Sequence, residues 1–457
     1  MKVKTIEIAW HRRPEANHND PVLSVDFLDD SIFATGGGDH EVKIWRLNTT
    51  GEEAVVEYCY SLKGHQQSVN VVRFSPDKKL LASAGDDGCI IIWGLREKVC
   101  SNWSEITKDN CYWKKNIRGH AMDIYDISWC PNSQFLVSSG TDSNIIIWGI
   151  DGTQYTRIHD HTGYIQGVDW SQDDMNIISV ANDRTARIYN YTKFPVNTKL
   201  QVDDWNSIRP FREDFRISKN LVNNRPLNCK AVLKRMLFSY TSESSDVQDP
   251  QAMENSESGE AAMDVEDDFT AVISTSDTPI VEKPKKEEKG GTRGFFMYLG
   301  DTVPSFYRRP HSSSDGVLTV IPCGVYLQSE GSIPRNCSYM YLNGVWEKCL
   351  PIACYPVLSF PTVVTRFSNT LYKRKEDQNV MSLIGLPYYH VFAVTTTEEV
   401  FVYSTQSTTP LFYISNIHYA QICDFAWNAS GNCAFTVSSD GYCTLIQFEE
   451  GELGEKL

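Results

Sequence analysis

The sequence predicts an all-β protein folded as a seven-bladed β-propeller, and three observations support this fold class. Short runs rich in Val, Ile, Phe and Trp alternate with turns such as Ser75-Pro76-Asp77 and Asp86-Asp87-Gly88, a pattern typical of antiparallel strands. A unit of about 40 residues, with Gly-His near its start and Trp near its end, recurs along the chain, as the blades of a propeller do. The 457 residues are 41% hydrophobic, which is enough for one large buried core.

Four copies of this unit share the same internal spacing. In each copy an aromatic residue stands 9 positions after the His, an Asp stands 22 positions after the His, and a Ser or Thr stands 4 positions before that Asp. The four sets are, in chain order, His65, Ser83, Asp87 and Trp93; His120, Ser138, Asp142 and Trp148; His161, Ser179, Asp183 and Tyr189; and His418, Thr436 and Asp440. Near the start of the chain Thr35, Asp39 and Trp45 fit the same pattern, and His18 is the expected histidine.

The spacing predicts a hydrogen-bonded tetrad inside each blade. Side chains of these four types can bond in sequence and satisfy polar groups that the blade buries, where an unpaired group would cost about 1–3 kcal/mol. Ser, His and Asp also form nucleophilic triads. An active site is built once, however, whereas this set recurs at least four times, so we interpret the tetrads as structural. No catalytic residue is predicted, and the protein is not expected to be an enzyme.

The repeats divide one propeller domain into two sequence blocks. Residues 2–10 alternate as a strand and are predicted to complete the last blade, because closure of the ring removes an exposed sheet edge. Blades one to four, with a basic connecting segment, are assigned to residues 1–240 and blades five to seven to residues 292–457. The expected blade bounds are 21–47, 55–95, 111–150, 155–191, 305–342, 349–403 and 411–448.

Residues 241–291 separate the two blocks and differ from them in composition. They contain 14 Asp or Glu against 4 Lys, a balance of −10 within a net charge of −15 for the chain. Such a segment cannot bury enough apolar surface to offset its ordering entropy, so a disordered acidic insertion is predicted. Its Lys283-Pro284-Lys285-Lys286 cluster is a weak candidate for a nuclear import signal.

A basic stretch precedes this insertion. Between residues 205 and 235 eight Lys or Arg face only two acidic residues, with Trp and Phe interleaved. Such a stretch can bind nucleic acid or an acidic partner segment, or it can be a solvated blade edge, and both alternatives stay open. The candidate partner-binding residues are Arg209, Arg212, Arg216, Lys234 and Arg235, joined by Arg308 and Arg309 of a later departure from the blade pattern.

Several classes of site and location are not expected. The N-terminus has no apolar run suited to a signal peptide and no stretch of 18 apolar residues occurs, so a soluble intracellular protein without a membrane partner is predicted. The 13 cysteines form no CxxC pair, which favours buried thiols in a reducing compartment. No metal is expected, because His161 of the His159-Asp160-His161 run already belongs to a tetrad. No cofactor is expected, because Gly36-Gly37-Gly38 lies in a strand turn.

Several longer motifs resemble one family. They are IEIAWH (6–11), SVNVVRFS (68–75), DIYDISW (123–129), YIQGVDW (164–170), FYRR (306–309), MSLIGLPY (381–388), YISNIHY (413–419) and SDGYC (439–443). Together they resemble the middle, WD-repeat subunits of chromatin assembly factor one. The resemblance implies a WD40-type propeller in a nuclear histone chaperone complex that deposits histones three and four onto newly replicated DNA. It also implies two partner proteins, a large scaffold subunit and a small histone-binding WD-repeat subunit.

The resemblance leaves several partners and rivals to consider. Longer family members carry a C-terminal tail that docks the anti-silencing histone chaperone. This chain ends soon after the propeller, so that chaperone is kept as a candidate partner whose direct contact stays an open question. Because histones are basic, the basic stretch is expected to hold acidic segments of the large subunit, with DNA as a weaker or indirect partner. The rival interpretations are a replication-independent histone chaperone subunit, whose propeller is similar, and a propeller adaptor for ubiquitin ligation.

Overall fold

The computed structural model describes residues 1–190, 228–237 and 294–457, with short gaps at 9, 14, 16, 50–53, 97, 328–331, 347–349, 358–359 and 375–384. The candidates Arg209, Arg212 and Arg216, and the predicted insertion 241–291, lie outside the described residues. Seven four-stranded antiparallel sheets follow one another along the chain. The first strand of each sheet contacts the first strand of the next, and the seventh contacts the first. This ring confirms the predicted seven-bladed propeller.

The strands of the first three blades follow in chain order after an N-terminal strand. They are β1 (Lys2–Ile6); β2 (Val22–Phe27), β3 (Ile32–Gly37), β4 (Glu41–Asn48) and β5 (Val55–Lys63) of blade one; β6 (Val69–Phe74), β7 (Leu80–Gly85), β8 (Cys89–Leu95) and β9 (Tyr112–Arg118) of blade two; and β10 (Ile124–Trp129), β11 (Phe135–Gly140), β12 (Ile145–Gly149) and β13 (Gln154–Ile158) of blade three. Two short 3-10 helices, Trp103–Glu105 and Asp109–Cys111, precede β9.

The later blades have the same construction, with a two-stranded ribbon between blades four and five. They are β14 (Ile165–Trp170), β15 (Asn176–Ala181), β16 (Thr185–Asn190) and β17 (Asn228–Leu233) of blade four; the ribbon β18 (Arg235–Leu237) and β19 (Gly294–Phe296); β20 (His311–Ser312), β21 (Leu318–Tyr326), β22 (Arg335–Leu342) and β23 (Ala353–Val357) of blade five; β24 (Thr362–Lys373), β25 (Tyr388–Thr396), β26 (Val400–Ser404) and β27 (Phe412–Ile414) of blade six; and β28 (Ile422–Trp427), β29 (Cys433–Ser438) and β30 (Cys443–Gln447) of blade seven.

The N-terminal strand supplies the fourth strand of blade seven. It pairs antiparallel with β30, from Lys2 opposite Gln447 to Ile6 opposite Cys443. The first and last parts of the chain therefore form one sheet, and the edge that β30 would expose is paired. The predicted closure of the ring by the N-terminal strand is confirmed.

Blade boundaries in the structure are shifted by one strand from the sequence repeats. Each repeat was expected to be one blade, but the strand that opens a repeat, such as β5, is the outer strand of the preceding sheet. The outer strand of blade four is β17, which pairs with β16 although residues 191–227 separate them. The end of the predicted basic connecting segment is thus a blade strand. Leu237 and Gly294, at either end of the undescribed insertion, are paired in the ribbon.

Burial explains the composition of the strands. The third strand of blade two, β8, is buried along nearly its whole length and reads Ile-Ile-Ile-Trp because both of its faces pack against neighbouring blades. The outer strand β9 alternates between buried and exposed residues, as a strand with one solvated face should. Apolar clusters connect adjacent blades, as where Ile90 and Ile92 of blade two pack with Ile127 and Trp129 of blade three. In the described part of the chain no helix is long and apolar enough to cross a membrane.

A β-bulge interrupts the inner strand of six blades at the same place. In each case the second residue of the strand has no partner on the neighbouring strand. In blade two, for example, Val69 pairs with Gly85 and Val71 pairs with Ala84, so Asn70 between them is unpaired. A bulge redirects the extra residue and frees its backbone groups from the ladder. The six bulge residues are Leu23, Asn70, Tyr125, Gln166, Val363 and Cys423.

Candidate interaction site

The second and third blades each contain a continuous hydrogen-bonded set of four side chains. In blade two the His65 Nε2 atom lies 2.7 Å from Ser83 Oγ, its Nδ1 lies 3.0 Å from Asp87 Oδ2, and Trp93 Nε1 donates to Ser83 Oγ at 2.9 Å. In blade three the corresponding distances are 2.7, 2.9 and 2.8 Å, among His120, Ser138, Asp142 and Trp148.

The other two sets with the same spacing are less complete. His161 lies 2.7 Å from Ser179 Oγ and 2.9 Å from Asp183, and a buried Tyr189 stands at the Trp position. In blade seven His418 Nδ1 lies 3.1 Å from Asp440. Thr436 Oγ1, however, donates to the backbone oxygen of Asp424 at 3.4 Å. The structure therefore brings His418 and Asp440 together and directs Thr436 elsewhere.

The tetrad of blade one uses a different histidine from the expected one. His11, not His18, occupies the position: its Nε2 lies 2.8 Å from Thr35 Oγ1 and its Nδ1 lies 2.5 Å from Asp39 Oδ1. Trp45 Nε1 donates to the same Thr35 oxygen at 2.8 Å. The fixed spacing of 22 residues missed His11 because the connection from this histidine to β2 is longer than in the other blades.

The electrostatics of the tetrads favour a structural role. Burial by itself would raise the pKa of Asp142, but the hydrogen bond and charge of His120 hold that pKa well below its usual range. Ser83, Ser138 and Ser179 are fully buried. In blades two and three the Ser Oγ atom is shared by a histidine and an indole N–H. Such a hydroxyl has no approach for a substrate, which nucleophilic catalysis requires.

Arg308 and Arg309 are not surface residues, which corrects the expectation that they belong to a partner-binding patch. Both side chains are fully buried. They belong to residues 305–310, called the channel segment below, which crosses the centre of the ring between the inner strands. The Arg308 guanidinium donates to the backbone oxygens of Ala181, Leu299 and Gly300. A sequence pattern could not show this burial, because all these acceptors belong to other segments of the chain.

The bulge residues of the inner strands hold the channel segment. Asn70 accepts hydrogen bonds from Tyr307 Oη at 3.2 Å and, through its backbone oxygen, from Arg309 at 2.7 Å. The backbone oxygen of Gln166 accepts from Arg308 N at 2.9 Å. The backbone oxygen of Val363 accepts from Arg309 N at 2.8 Å. The bulges therefore supply backbone acceptors that a regular ladder would have used.

One buried carboxylate joins three arginines at the centre of the ring. Asp424 of β28 lies 2.5 Å from Arg309, 2.8 Å from Arg73 of β6 and 3.1 Å from Arg366 of β24. Ser24 of β2 adds a hydrogen bond to the same carboxylate at 2.7 Å. These residues, together called the ion cluster, connect blades one, two, six and seven with the channel segment.

The pKa values of the channel carboxyls differ according to their partners. Burial would raise the pKa of Asp424, but the charges of Arg309, Arg73 and Arg366 keep it far below its usual range. Burial raises the pKa of Asp26 to about 6, against the opposing charge of Arg73. Burial likewise raises the pKa of Asp169 to about 6, although Ser312 donates to it. The centre of the ring thus contains one firmly ionised carboxylate, Asp424, near two others, Asp26 and Asp169, that burial makes easier to protonate.

The sequence contained a signal for the ion cluster. Arg73, Arg366 and Asp424 are the single charges of otherwise uncharged, mostly apolar inner strands, VNVVRF, TVVTRF and ICDFAW. Charged residues are rarely fully buried unless they are paired. Opposite charges at comparable depths in the inner strands of one ring could therefore have been predicted to meet.

Lys234 and Arg235 occupy a different part of the molecule from Arg308 and Arg309. Both are exposed, and the Arg235 guanidinium lies 4.4 Å from the centre of the Phe296 ring in the ribbon. Arg184 of blade four lies 5.1 Å from the same ring. The described candidates therefore form no single basic surface. Across the described ranges no group of three or more potential metal ligands is found.

Comparisons with known proteins identify related chains. The model of the CAF1B/HIR1 beta-propeller domain matches residues 1–228 and 263–453. A chromatin assembly factor 1 subunit of Schizosaccharomyces pombe is 32% identical to this chain, in an alignment covering 100% of the chain and 89% of that protein. The corresponding chromatin assembly factor 1 protein of Mus musculus is 29% identical over 99% of the chain and 68% of its own length. Protein HIR1 of Eremothecium gossypii is 21% identical over 100% of the chain and 48% of its own length.

Removing the carboxylate of a complete tetrad should reduce stability. Asp142→Ala is expected to lower the free energy of unfolding by about 2–4 kcal/mol, because His120 and the backbone N–H of Ala121 lose their acceptor. Asp440→Ala in blade seven is the matched comparison and should cost less, since Thr436 is not part of that network. Urea unfolding of both variants tests this, and equal losses would contradict a role for the His–Ser bond.

Two Asp→Asn substitutions at the centre of the ring should have unequal effects. Asp424→Asn should destabilise the fold by about 3–5 kcal/mol at pH 8, because three buried arginines lose their nearest counter-charge and only Arg73 and Arg309 keep a more distant one in Asp126. Asp26→Asn should change the free energy of unfolding by less than about 1 kcal/mol at the same pH, because it removes a charge that burial disfavours.

The two carboxyls also predict different pH dependences of stability. The stabilisation that Asp424 provides is present at neutral pH and is lost on acidification, since its folded-state pKa is lowered. The pKa of Asp26 is raised in the folded state, so the folded state takes up this proton before the unfolded state does. The destabilising effect of the buried Asp26 charge is therefore relieved as the pH falls below about 6. Similar losses for both variants would refute the assignment.

Proposed function

Because the chain belongs to the CAF1B/HIR1 beta-propeller family, we propose that it is the WD-repeat subunit of a histone chaperone complex for chromatin assembly. The family match over most of the propeller is the observation that carries this proposal. Relatives named as subunits of chromatin assembly factor 1 align over 99–100% of the chain at 27–32% identity. The finer proposal is replication-coupled deposition of histones three and four in the nucleus.

A non-catalytic role agrees with the construction of the propeller. The Ser, His and Asp side chains that could have formed a nucleophilic site lie inside the blades, with the serine hydroxyls fully buried. The charged groups at the centre of the ring are paired with one another and with the channel segment. A rigid ring of this kind offers surfaces for recognition, so the protein acts through protein–protein contacts.

The proposed partners are a large scaffold subunit, a small histone-binding WD-repeat subunit, and histones three and four. Acidic segments of the large subunit would complement the basic stretch that includes Lys234 and Arg235. Lys234 and Arg235 are exposed, as is the neighbouring Lys230, and exposed charges attract oppositely charged partners in a salt-dependent manner. DNA phosphate is the weaker candidate for the same residues.

Replication-independent histone assembly is the second candidate function. It is supported by the family description, which includes HIR1, and by Protein HIR1 relatives that align over the whole chain. Their identity of 21–22% is lower than that of the chromatin assembly factor relatives. Co-purification with the large subunit of one complex or of the other distinguishes the two functions.

Charge reversal tests the proposed contact with the large subunit. Replacing Arg209, Arg212, Arg216, Lys234 and Arg235 by Glu should weaken co-purification with the large subunit of chromatin assembly factor one. The difference from wild type should be largest at low salt, where charges are screened least. The melting temperature should stay nearly unchanged. A control with three exposed lysines elsewhere, Lys79→Glu, Lys98→Glu and Lys108→Glu, should co-purify as wild type does.

Two results would contradict these proposals. Unaltered co-purification and DNA binding of the charge-reversal variant would make the basic stretch a solvated edge only. Failure of the wild-type protein to associate with the large subunit, or to support histone deposition in a reconstituted assembly reaction, would contradict the proposed function itself.

A further inference from the structure

Two exposed aromatic rings come together with a half-buried tyrosine and two half-buried carboxylates where the inner strands of blades two to four begin. Five residues form what we call the aromatic–acidic patch: Asp86, Asp123, Tyr125, Tyr164 and Phe306. The rings of Tyr125 and Phe306 lie 5.9 Å apart. The Asn70 side-chain amide donates both to Asp86 at 2.6 Å and to the backbone oxygen of Ile124 at 3.0 Å, which places Asp86 beside the strand end that carries Asp123 and Tyr125. Burial raises the pKa of Tyr125 to about 12, and the charges of Asp123, Asp86 and Tyr164 contribute to this rise.

The patch is accessible although its rings are large. Phe306 is 64% exposed and Tyr164 is 50% exposed. Exposed aromatic side chains that are grouped at one place commonly mark a recognition surface, whereas single exposed apolar residues need no explanation. Phe306 adjoins Tyr307, which is buried in the channel segment. Phe306 is therefore exposed in a segment whose next aromatic residue is buried.

The scaffold beneath the patch is rigid. Tyr125 is a bulge residue of β10, and its ring also contacts Tyr307 at 6.2 Å. Asp86 accepts a hydrogen bond of 2.6 Å from the Asn70 side chain, and Asn70 in turn accepts from Tyr307 at 3.2 Å. Tyr125 and Asp86 are thus held in place before any partner arrives, which lowers the entropy cost of binding.

The charge of the patch is negative and locally unbalanced. The partner of Asp86 is a neutral amide, not a cation. Burial raises the pKa of Asp123, and the negative charge of Asp86 raises it further. Two carboxylates that repel each other beside the negative faces of aromatic rings form a favourable environment for a cation.

We propose that the aromatic–acidic patch binds a Lys- and Arg-rich extended segment of a protein partner, with one cationic side chain over the rings and its charge beside Asp86 and Asp123. The rings supply a cation–π contact and the carboxylates supply charge-assisted hydrogen bonds. A nucleic acid is the wrong complement, because its phosphates would be repelled by both carboxylates. The inference rests on the proposed function for the identity of the basic partner as a histone.

Direct binding to the isolated full chain tests the proposal. The probe is a fluorescein-labelled peptide with the sequence of a histone N-terminal tail, and the control probe is the same peptide with every Lys and Arg replaced by Gln. Fluorescence anisotropy should show binding of the basic peptide that weakens with salt, and no comparable binding of the control. The variant Asp86→Asn with Asp123→Asn should weaken binding about tenfold or more.

Further variants distinguish a loss of binding at the patch from a general effect of substitution on the protein. Phe306→Ala should also weaken binding severalfold, and the fold should be retained because this exposed ring adds little packing to the core. Asp86→Asn retains an oxygen that can accept from Asn70. The pair Glu57→Gln and Tyr58→Ala on the outer strand of blade one, where Tyr58 is 56% exposed, should leave the affinity within about twofold of wild type.

Each outcome decides the inference independently of the proposed function. Loss of binding confined to the patch variants supports it. Equal binding of patch and control variants, equal binding of both peptides, or no binding of the basic peptide to the wild-type chain overturns it. In those cases normal co-purification with the large subunit would leave the proposed function intact.

Discussion

The centre of the propeller depends on buried ion pairs in which Asp424 is the shared carboxylate. Asp424 lies within 3.1 Å of three guanidinium groups, two from inner strands of other blades and one from the channel segment. Isolated charges at such depth would cost several kcal/mol each. Asp424 is the nearest counter-charge of Arg73, Arg309 and Arg366, and the buried Asp126 adds a second, more distant one, 3.8 Å from Arg73 and 3.6 Å from Arg309. The cluster therefore requires its blades to meet in one register, and it complements the pairing of β1 with β30 that closes the ring at its outer edge.

The same arrangement connects the interior of the ring to its surface. Bulges at one level of six inner strands release backbone and side-chain groups, and several of these groups hold the channel segment. Within the channel segment Phe306 is exposed beside Tyr125, although its neighbours Ser305 and Tyr307 are both buried. The propeller thus presents a preorganised surface for recognition. The entropy cost of ordering its side chains arises during folding and is not incurred again when a partner binds.

Much of the fold could be predicted from the sequence, because a motif that recurs at a fixed interval indicates that the same four-stranded sheet is repeated. Asp87, Asp142 and Asp183 were found by their constant distance from a histidine, whereas His11 was missed because the connection following it is longer. Strand β17 was missed because residues 191–227 interrupt blade four. Charge and departure from the blade pattern place Arg308 and Arg309 in the predicted surface patch. The partners of Arg309, such as Asp424 and the backbone of Asn70, are more than 100 residues away along the chain, and no local pattern reveals such contacts.

Hydrogen exchange of the wild-type protein, followed by mass spectrometry, tests most directly whether the channel segment is a fixed part of the propeller. The amides of Arg308 and Arg309 donate to Gln166 and Val363 inside the ring, so they should exchange as slowly as the amides of the inner strands β6 and β10. Exchange of residues 305–310 at the rate of an exposed turn such as 77–79, with β6 and β10 still protected, would show that the segment opens independently. It would then contradict an account in which the ion cluster fixes the surface of the propeller.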